Sequence, residues 1–267
     1  MLDRSLRLLS MLAALATTTA LAQSSAPVEL DALTWPELKA RIEAGATTVI
    51  VPIGGTEQNG PHMALGKHNA RAALLAERIA RALGNALVAP VIAYVPEGGV
   101  DPPTSHMRFP GTISIPSTAF EATLEGAAQS LRRAGFRDIV LLGDHGGYAK
   151  SLATVATRLN RAWSGAGARV LVPVEYYRAA DQAFAAKLLA SGYRADEIGT
   201  HAGLADTSLT LAIAPSLVRA DEMRAAPSAA QGVYGDPRRS SAALGEIAAN
   251  AIVADTVAAI RSATAHR

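Results

Sequence analysis

Residues 55 to 70 read GTEQNGPHMALGKHNA, and twelve consecutive positions of that stretch hold Glu57, Asn59, His62 and His68. Carboxylates and imidazoles at this density are donors for a divalent cation, and a hydrolytic centre needs about three such ligands with one position left open for water. Further along, His145 stands in GDHGGY between Asp144 and two glycines, a setting in which the backbone approaches a bound ion closely. Glu57, His68 and His145 together supply the two-histidine, one-carboxylate composition of mononuclear hydrolytic zinc sites. The chain has no cysteine, so thiolate ligands are impossible and any metal rests on His, Asp and Glu. His106, in TSHMRFPGT, and His201, in GTHAGLADTS, lie in polar segments of the same kind, and only His266 stands apart in the tail.

Ligands this far apart need a scaffold that gathers loops, and the hydrophobic pattern describes one. The β-branched, apolar run TTVIVPI (47–53) predicts a buried parallel strand, and 86–95, 138–143 and 168–177 predict three more. Helices are predicted over 33–45, about 70–83, 117–134, 147–163 and 179–191, with a long Ala-rich helix over about 240–263 packing back on the sheet. This alternation is that of an α/β fold with a largely parallel sheet and helices on both faces. In such folds the loops leaving the C-terminal strand ends converge on one crevice. Glu57 follows the first strand, VPEGGVDPPTSHMRFPGT the second and GDHGGY the third. Glu97, Asp101, Arg108 and Tyr148 border that crevice as candidates for substrate selection, and Glu175 and Tyr176 join them at the end of the fourth strand.

With 267 residues, 49% of them hydrophobic and 18% charged, the chain buries a full core in one compact domain. A net charge of +2, no Lys/Arg run and 4% aromatic residues exclude the electrostatic and stacking surface of a nucleic-acid binder. The leader MLDRSLRLLSMLAALATTTALAQ has Arg4 and Arg7 ahead of an apolar stretch and ends in Ala20-Leu21-Ala22, the pattern of a cleavable signal peptide over residues 1–22. Cleavage before Gln23 leaves a soluble, exported protein of residues 23–267, periplasmic or secreted, with no membrane contact.

The segments GGTEQNGPHMALGKHNA, HMRFPGTISI, LLGDHGGYAKS, GTHAGLADTSLTLAIAP and GVYGDPRRSSAALG resemble, in order and spacing, the motifs of the creatininase family of metal hydrolases, over nearly the whole mature chain. The resemblance implies a three-layer α/β/α sandwich with a mostly parallel central sheet, a divalent metal centre at the strand ends, usually binuclear with zinc or manganese, and hydrolysis of a C–N bond in a small, often cyclic, amide. It also implies a homo-oligomer, commonly a hexamer. Carried over position by position, Glu57 is a metal ligand, Asn59 stands where a histidine binds the other ion, His62 matches the second histidine, and His68 stands where an aspartate bridges both ions. His145 matches a histidine ligand, but Gly147 stands where a carboxylate is usual. His201 matches a histidine that serves in proton transfer, and Asp206 replaces a glutamate at or on the metal.

A bridging ligand offers two oxygens to two cations, which a neutral imidazole does not. The Asn59 amide is a poor substitute for imidazole towards zinc. Both changes fall on one ion, so the expectation is a single divalent ion per chain, zinc or manganese, on Glu57, His68 and His145. Asp144 or Asp206 is either a fourth ligand or the acceptor that orients a ligating imidazole. His62 is expected to buttress its loop, and His106 to lie at the rim facing substrate or a neighbouring subunit. The expected reaction is attack of a metal-activated water on a small non-peptide amide or lactam, with His201 carrying the proton and Asp206 beside the metal. The altered centre and the scarcity of aromatic residues argue against creatinine itself. The alternative from another class is an inactive member that serves as a periplasmic binding or assembly protein.

Overall fold

The structure is a computed structural model that describes residues 26–265. The signal peptide, its cleavage point and His266 lie outside the described residues. The first helix, α1 (Trp35–Glu43), begins where the Glu37 carboxylate accepts the Thr34 backbone N–H at 2.7 Å, which satisfies one orphan donor of the helix start. Strand β1 (Thr48–Ile53) is buried along its whole length, as its unbroken apolar character requires of a strand covered on both faces.

The chain then alternates through α2 (Lys67–Leu83), β2 (Ala86–Val88), α3 (Ser117–Ala134), β3 (Asp138–Gly143), α4 (Ala149–Ala162) and β4 (Arg169–Leu171). The four strands form one parallel sheet in the order β2-β1-β3-β4, with Thr48 opposite both Ala86 and Asp138. The chain moves outward from β1 to β2 and then back across to β3. With right-handed crossovers, that reversal puts α2 on one face and α3 and α4 on the other. The β1/β3 boundary is therefore the switch point at which a crevice opens beyond the strand ends.

Two predicted strands are shorter than expected, and a proline accounts for each. The run 86–95 leaves the ladder at Pro90, which has no N–H to donate, and touches β1 again only where Ile92 N–H donates to the Pro52 carbonyl at 3.0 Å. The run 168–177 stops before Pro173, which precedes helix α5 (Val174–Arg178), so Glu175 and Tyr176 are helical. A π-helical turn over Ala179–Ala183 carries α5 into α6 (Phe184–Ala190). Helix α7 (Leu204–Ile213), absent from the sequence-based expectation, packs with the last helix, α8 (Ala242–Thr264). Helix α8 is long and apolar enough to cross a membrane by length and composition, but its Ala248, Ile252 and Ile260 are buried. It packs chiefly on α7, α2 and α5 rather than on the sheet.

Candidate metal centre

The loop after β1 is drawn tight by its own polar groups. The Asn69 side chain accepts the Gly55 N–H at 2.9 Å, Glu57 N–H donates to the Leu65 carbonyl, and the Asn59 amide donates to the carbonyls of Glu57 (2.9 Å) and Ala64 (3.1 Å). Asn59 thus closes the loop on itself, and Glu57 is fully buried at its centre. Helix α2 starts at Lys67, three residues earlier than the periodicity suggests, so Lys67, His68 and Arg71 belong to one helical turn rather than to a loop. The loop after β3 is tied to the first one, since Asp144 N–H donates to the Ile53 carbonyl at 3.0 Å.

Glu57 is the hub. Its Oε1 lies 2.9 Å from His68 Nε2 and 3.8 Å from His201 Nδ1, and its Oε2 lies 3.3 Å from His106 Nε2 and 3.7 Å from His145 Nε2. Two triads share this carboxylate, one with His68 and His145 and one with His106 and His201; in each, the three ligand atoms lie within 4.8 Å of one another. Glu57 Oε2 is buried without a hydrogen-bond partner among the described residues. A buried, unpaired carboxylate oxygen ringed by imidazoles is costly in the absence of a cation, and these residues fit a divalent ion. Burial opposes ionisation of Glu57, yet the hydrogen bond from His68 and the neighbouring Lys67 charge hold its carboxyl well below the usual range. Burial, reinforced by charge on His68, lowers His145 to about 4, which leaves that ring neutral, the form that binds metal.

The outer nitrogens of His68, His106 and His201 meet different partners. His68 is held between two carboxylates, with Nδ1 2.6 Å from Asp144 Oδ2 and Nε2 2.9 Å from Glu57 Oε1, so Asp144 is the acceptor that would keep the Nδ1 proton while an ion took Nε2. His106 Nδ1 instead lies 2.9 Å from Gln58 Nε2, and the Gln58 amide is oriented by Gly60 N–H, which donates to Gln58 Oε1 at 2.9 Å. Gln58 Nε2 is therefore the donor, His106 Nδ1 accepts, and the His106 proton sits on Nε2, pointing at Glu57. His201 Nε2 lies 2.9 Å from the Gln58 carbonyl and donates to it.

Behind the triads runs a buried charge network. Lys67 Nζ pairs with Asp206 Oδ2, Arg71 Nη1 with Asp206 Oδ1 at 2.6 Å, and Arg71 Nη2 with Asp144 Oδ2 at 2.8 Å. Tyr176 Oη donates to Asp144 Oδ1 at 2.6 Å. Burial alone would raise the Asp206 carboxyl, and Lys67 and Arg71 reverse this and hold it well below its ordinary value. A cavity of about 460 Å³ opens onto His68, His106, His145 and His201, with Arg108, Tyr177 and Tyr234 on its walls. That volume admits a small molecule.

Three predicted site residues, Asp206, His106 and Tyr148, stand elsewhere than expected. Asp206 joins neither triad; held by Lys67 and Arg71, it accepts Ala202 N–H at 2.9 Å and so anchors the loop that carries His201. Of the two places expected for Asp144, fourth ligand or acceptor behind an imidazole, it takes the second, 2.6 Å from His68 Nδ1. His106 lies against Glu57 and not at the rim. Tyr148 is buried behind the crevice, where its hydroxyl donates to the Gly54 carbonyl (2.7 Å) and accepts His145 N–H (3.1 Å). His62 is buried with Nε2 3.0 Å from Thr207 Oγ1, in contact with neither triad.

The residues underweighted in the sequence are Gln58, Lys67, Arg71 and Glu97. Lys67 and Arg71 were legible as an i, i+4 pair only if α2 had been started earlier. Glu97 is 4% exposed, neither of its oxygens has a hydrogen-bond partner among the described residues, and burial next to Glu57 raises it to about 9.

A family model described as creatinine amidohydrolase matches residues 31–260. The chain is 31% identical to the creatinine amidohydrolase of Pseudomonas putida, over 82% of this chain and 85% of that protein. It is also 31% identical to the mycofactocin precursor peptide peptidase of Mycolicibacterium smegmatis, over 74% and 78% of the two chains. Among solved structures, "Creatininase Mn" superposes with a TM-score of 0.76 and 26% identity over 89% of this chain and 99% of that one. With Glu57 and its histidines gathered at the strand ends of this α/β fold, the chain belongs to the creatininase family of metal-dependent hydrolases.

Proposed function

We propose that this protein is an exported amidohydrolase that holds one divalent ion, zinc or manganese, on Glu57, His68 and His145, and hydrolyses a C–N bond in a small non-peptide amide or lactam. The observation that carries the single-ion reading is the contrast between His68 and His106. With Asp144 to hold its Nδ1 proton, His68 can give up the Nε2 side to an ion, whereas Gln58, oriented by Gly60 N–H, places the proton of His106 on the nitrogen that faces Glu57. The second triad then turns an N–H rather than a lone pair to the carboxylate, with His106 Nε2 3.3 Å from Glu57 Oε2.

When bound, the ion supplies Lewis-acid polarisation and an acidified water for hydrolysis. The chain's own contribution is to position and to move protons. Burial and the Lys67 charge push His201 down to about 3, so its resting ring is neutral, with Nε2–H given to Gln58 and the Nδ1 lone pair free on the side of Glu57. That nitrogen is placed to accept a proton and to return it to the leaving nitrogen. The cavity walls supply Arg108 and Tyr177 for orienting a polar substrate.

The test is a hydrolysis screen of lactams, cyclic amides and short peptides with His201→Ala as the control. The variant is expected to retain its metal and to lose about 10²- to 10⁴-fold in kcat. Equal rates for both proteins would remove His201 from the mechanism, and turnover of peptides alone would move the substrate class towards that of the mycobacterial relative. Export, proposed from the charged and apolar leader, predicts that the protein recovered from a bacterial periplasm begins at Gln23. Recovery of the intact leader in the cytoplasmic fraction would overturn it.

A further inference from the structure

We infer that Glu97 is the carboxylate that makes His145 a metal ligand: it accepts a hydrogen bond from His145 Nδ1 and thereby presents Nε2 to the ion at Glu57. The inference rests on the reading of Glu57, His68 and His145 as the ion's ligands. Glu97 Oε2 lies 3.6 Å from His145 Nδ1, and His145 Nε2, on the other edge of the ring, lies 3.7 Å from Glu57 Oε2. His68 is arranged in the same way between Asp144 at Nδ1 (2.6 Å) and Glu57 at Nε2 (2.9 Å). Each of the two histidines thus stands between Glu57 and a second, buried carboxylate.

The placement of Glu97 is built rather than incidental. Its backbone N–H and that of Gly98 both donate to Ser114 Oγ, at 3.0 and 3.2 Å, and Ile115 N–H donates to the Val95 carbonyl, so the loop is pinned on both sides of the residue. Space for the carboxylate depends on Gly55, whose φ of +146° suits only glycine and whose Cβ, if present, would stand 2.5 Å from Glu97 Oε1. The fold therefore holds a carboxyl group in a dry place where no described group donates to it. Its ionised form is unfavourable there unless a donor arrives.

His145 Nδ1 has one competing partner, the Gly147 N–H, at 3.2 Å. A neutral imidazole carries a single N–H, so Nδ1 either accepts from Gly147 or donates to Glu97. An ion on Nε2 requires the second arrangement. Gly147 is exposed, so water can serve its N–H, whereas Glu97 has no other donor among the described residues. Loading the site and satisfying Glu97 are thus one event, and Glu97 acts as a positioning residue for the centre.

The experiment is a calorimetric titration of the metal-stripped, full-length mature protein with Zn²⁺ and with Co²⁺, comparing wild type with Glu97→Gln and Glu97→Ala. Affinity is expected to fall by about 10- to 100-fold in Glu97→Ala. The loss should be smaller in Glu97→Gln, whose amide oxygen still accepts from Nδ1. The visible spectrum of the Co²⁺-loaded variants should keep its wild-type shape, because the coordinating atoms are unchanged. Metal-free Glu97→Gln should melt no lower than wild type, since burial next to Glu57 already favours the neutral carboxyl and the amide that replaces it is neutral too. Unchanged affinity in both variants overturns the inference, and so does an altered Co²⁺ spectrum, which would make Glu97 a direct ligand. Loss of affinity that appears only with loss of metal-free stability would mark a merely structural residue and also overturns it. A wild type that takes up no ion overturns the metal-centre reading together with this one, whereas equal binding by all three proteins removes only the role of Glu97.

Discussion

Purified from a metal-replete host, the wild-type protein is expected to carry one divalent ion per chain, and both Glu57→Ala and His145→Ala to carry none. Glu57 is the only carboxylate shared by both triads, and its Oε2 is left without a hydrogen-bond partner among the described residues. Its removal deletes the charge that an ion would neutralise. His106→Ala separates the triads: the structure assigns His106 a proton on the nitrogen facing Glu57, so this variant should keep its ion. Elemental analysis of the three variants and the wild type decides the matter. Two tightly held ions per chain, or loss of the ion in His106→Ala, would show that the second triad also binds metal. The same ion should appear in thermal denaturation, because free metal at about a thousand times its Kd adds about 4 kcal/mol to the folded state.

Asp206→Ala is expected to destabilise the fold by about 3–5 kcal/mol, the range for breaking a buried ion pair by removing one partner. The Lys67 side chain is 1% exposed, and its ammonium pairs with Asp206, so the substitution strands a buried cation. Arg71 suffers less, because it keeps Asp144 at 2.8 Å. Urea denaturation measures the effect, and a loss below about 1 kcal/mol would show that the pair contributes little. Replacing both partners, as Lys67→Met with Asp206→Leu, should recover most of the stability, since no uncompensated charge then remains. The pH dependence has a definite sign. The folded Asp206 carboxyl lies well below its ordinary 3.8, so its contribution is present above that value and fades as pH falls through the lower folded one. The loss in Asp206→Ala should also displace the His201 loop, because the Asp206 carboxylate holds Ala202 N–H at a residue with a φ of +54°.

Where a single physical cause acts along the chain, the fold was legible in the sequence. Strand 138–143 and helix 117–134 appear at the expected bounds, because burial on both faces demands unbroken apolar runs and a helical face demands its own period. The two strands that came out short were read through Pro90 and Pro173, where the apolar run continues but the backbone has no N–H for the ladder. Helix α7 escaped notice because LADTSLTLAI is apolar on nearly every side, as a helix packed under α8 must be, and so carries little helical period.

The site divides in the same way. Glu57, His68 and His145 were assigned from residue type and spacing, Glu57 and His145 each following a strand into a glycine-bearing loop at the sheet's switch point, and the family motifs added the role of His201. The tertiary structure alone decided what each group does. Asp206, a plausible ligand by position, is committed to Lys67 and Arg71 across 139 and 135 residues of chain. His106 is set as a donor by a glutamine 48 residues away, itself aimed by a backbone N–H. Residue types and the strands they follow are properties of the linear chain, so sequence alone determined the family, the sheet and the presence of a metal-competent cluster. Which nitrogen carries a proton, and which carboxylate stays free for a cation, depends on partners brought within about 3 Å by folding, the range over which a hydrogen bond acts.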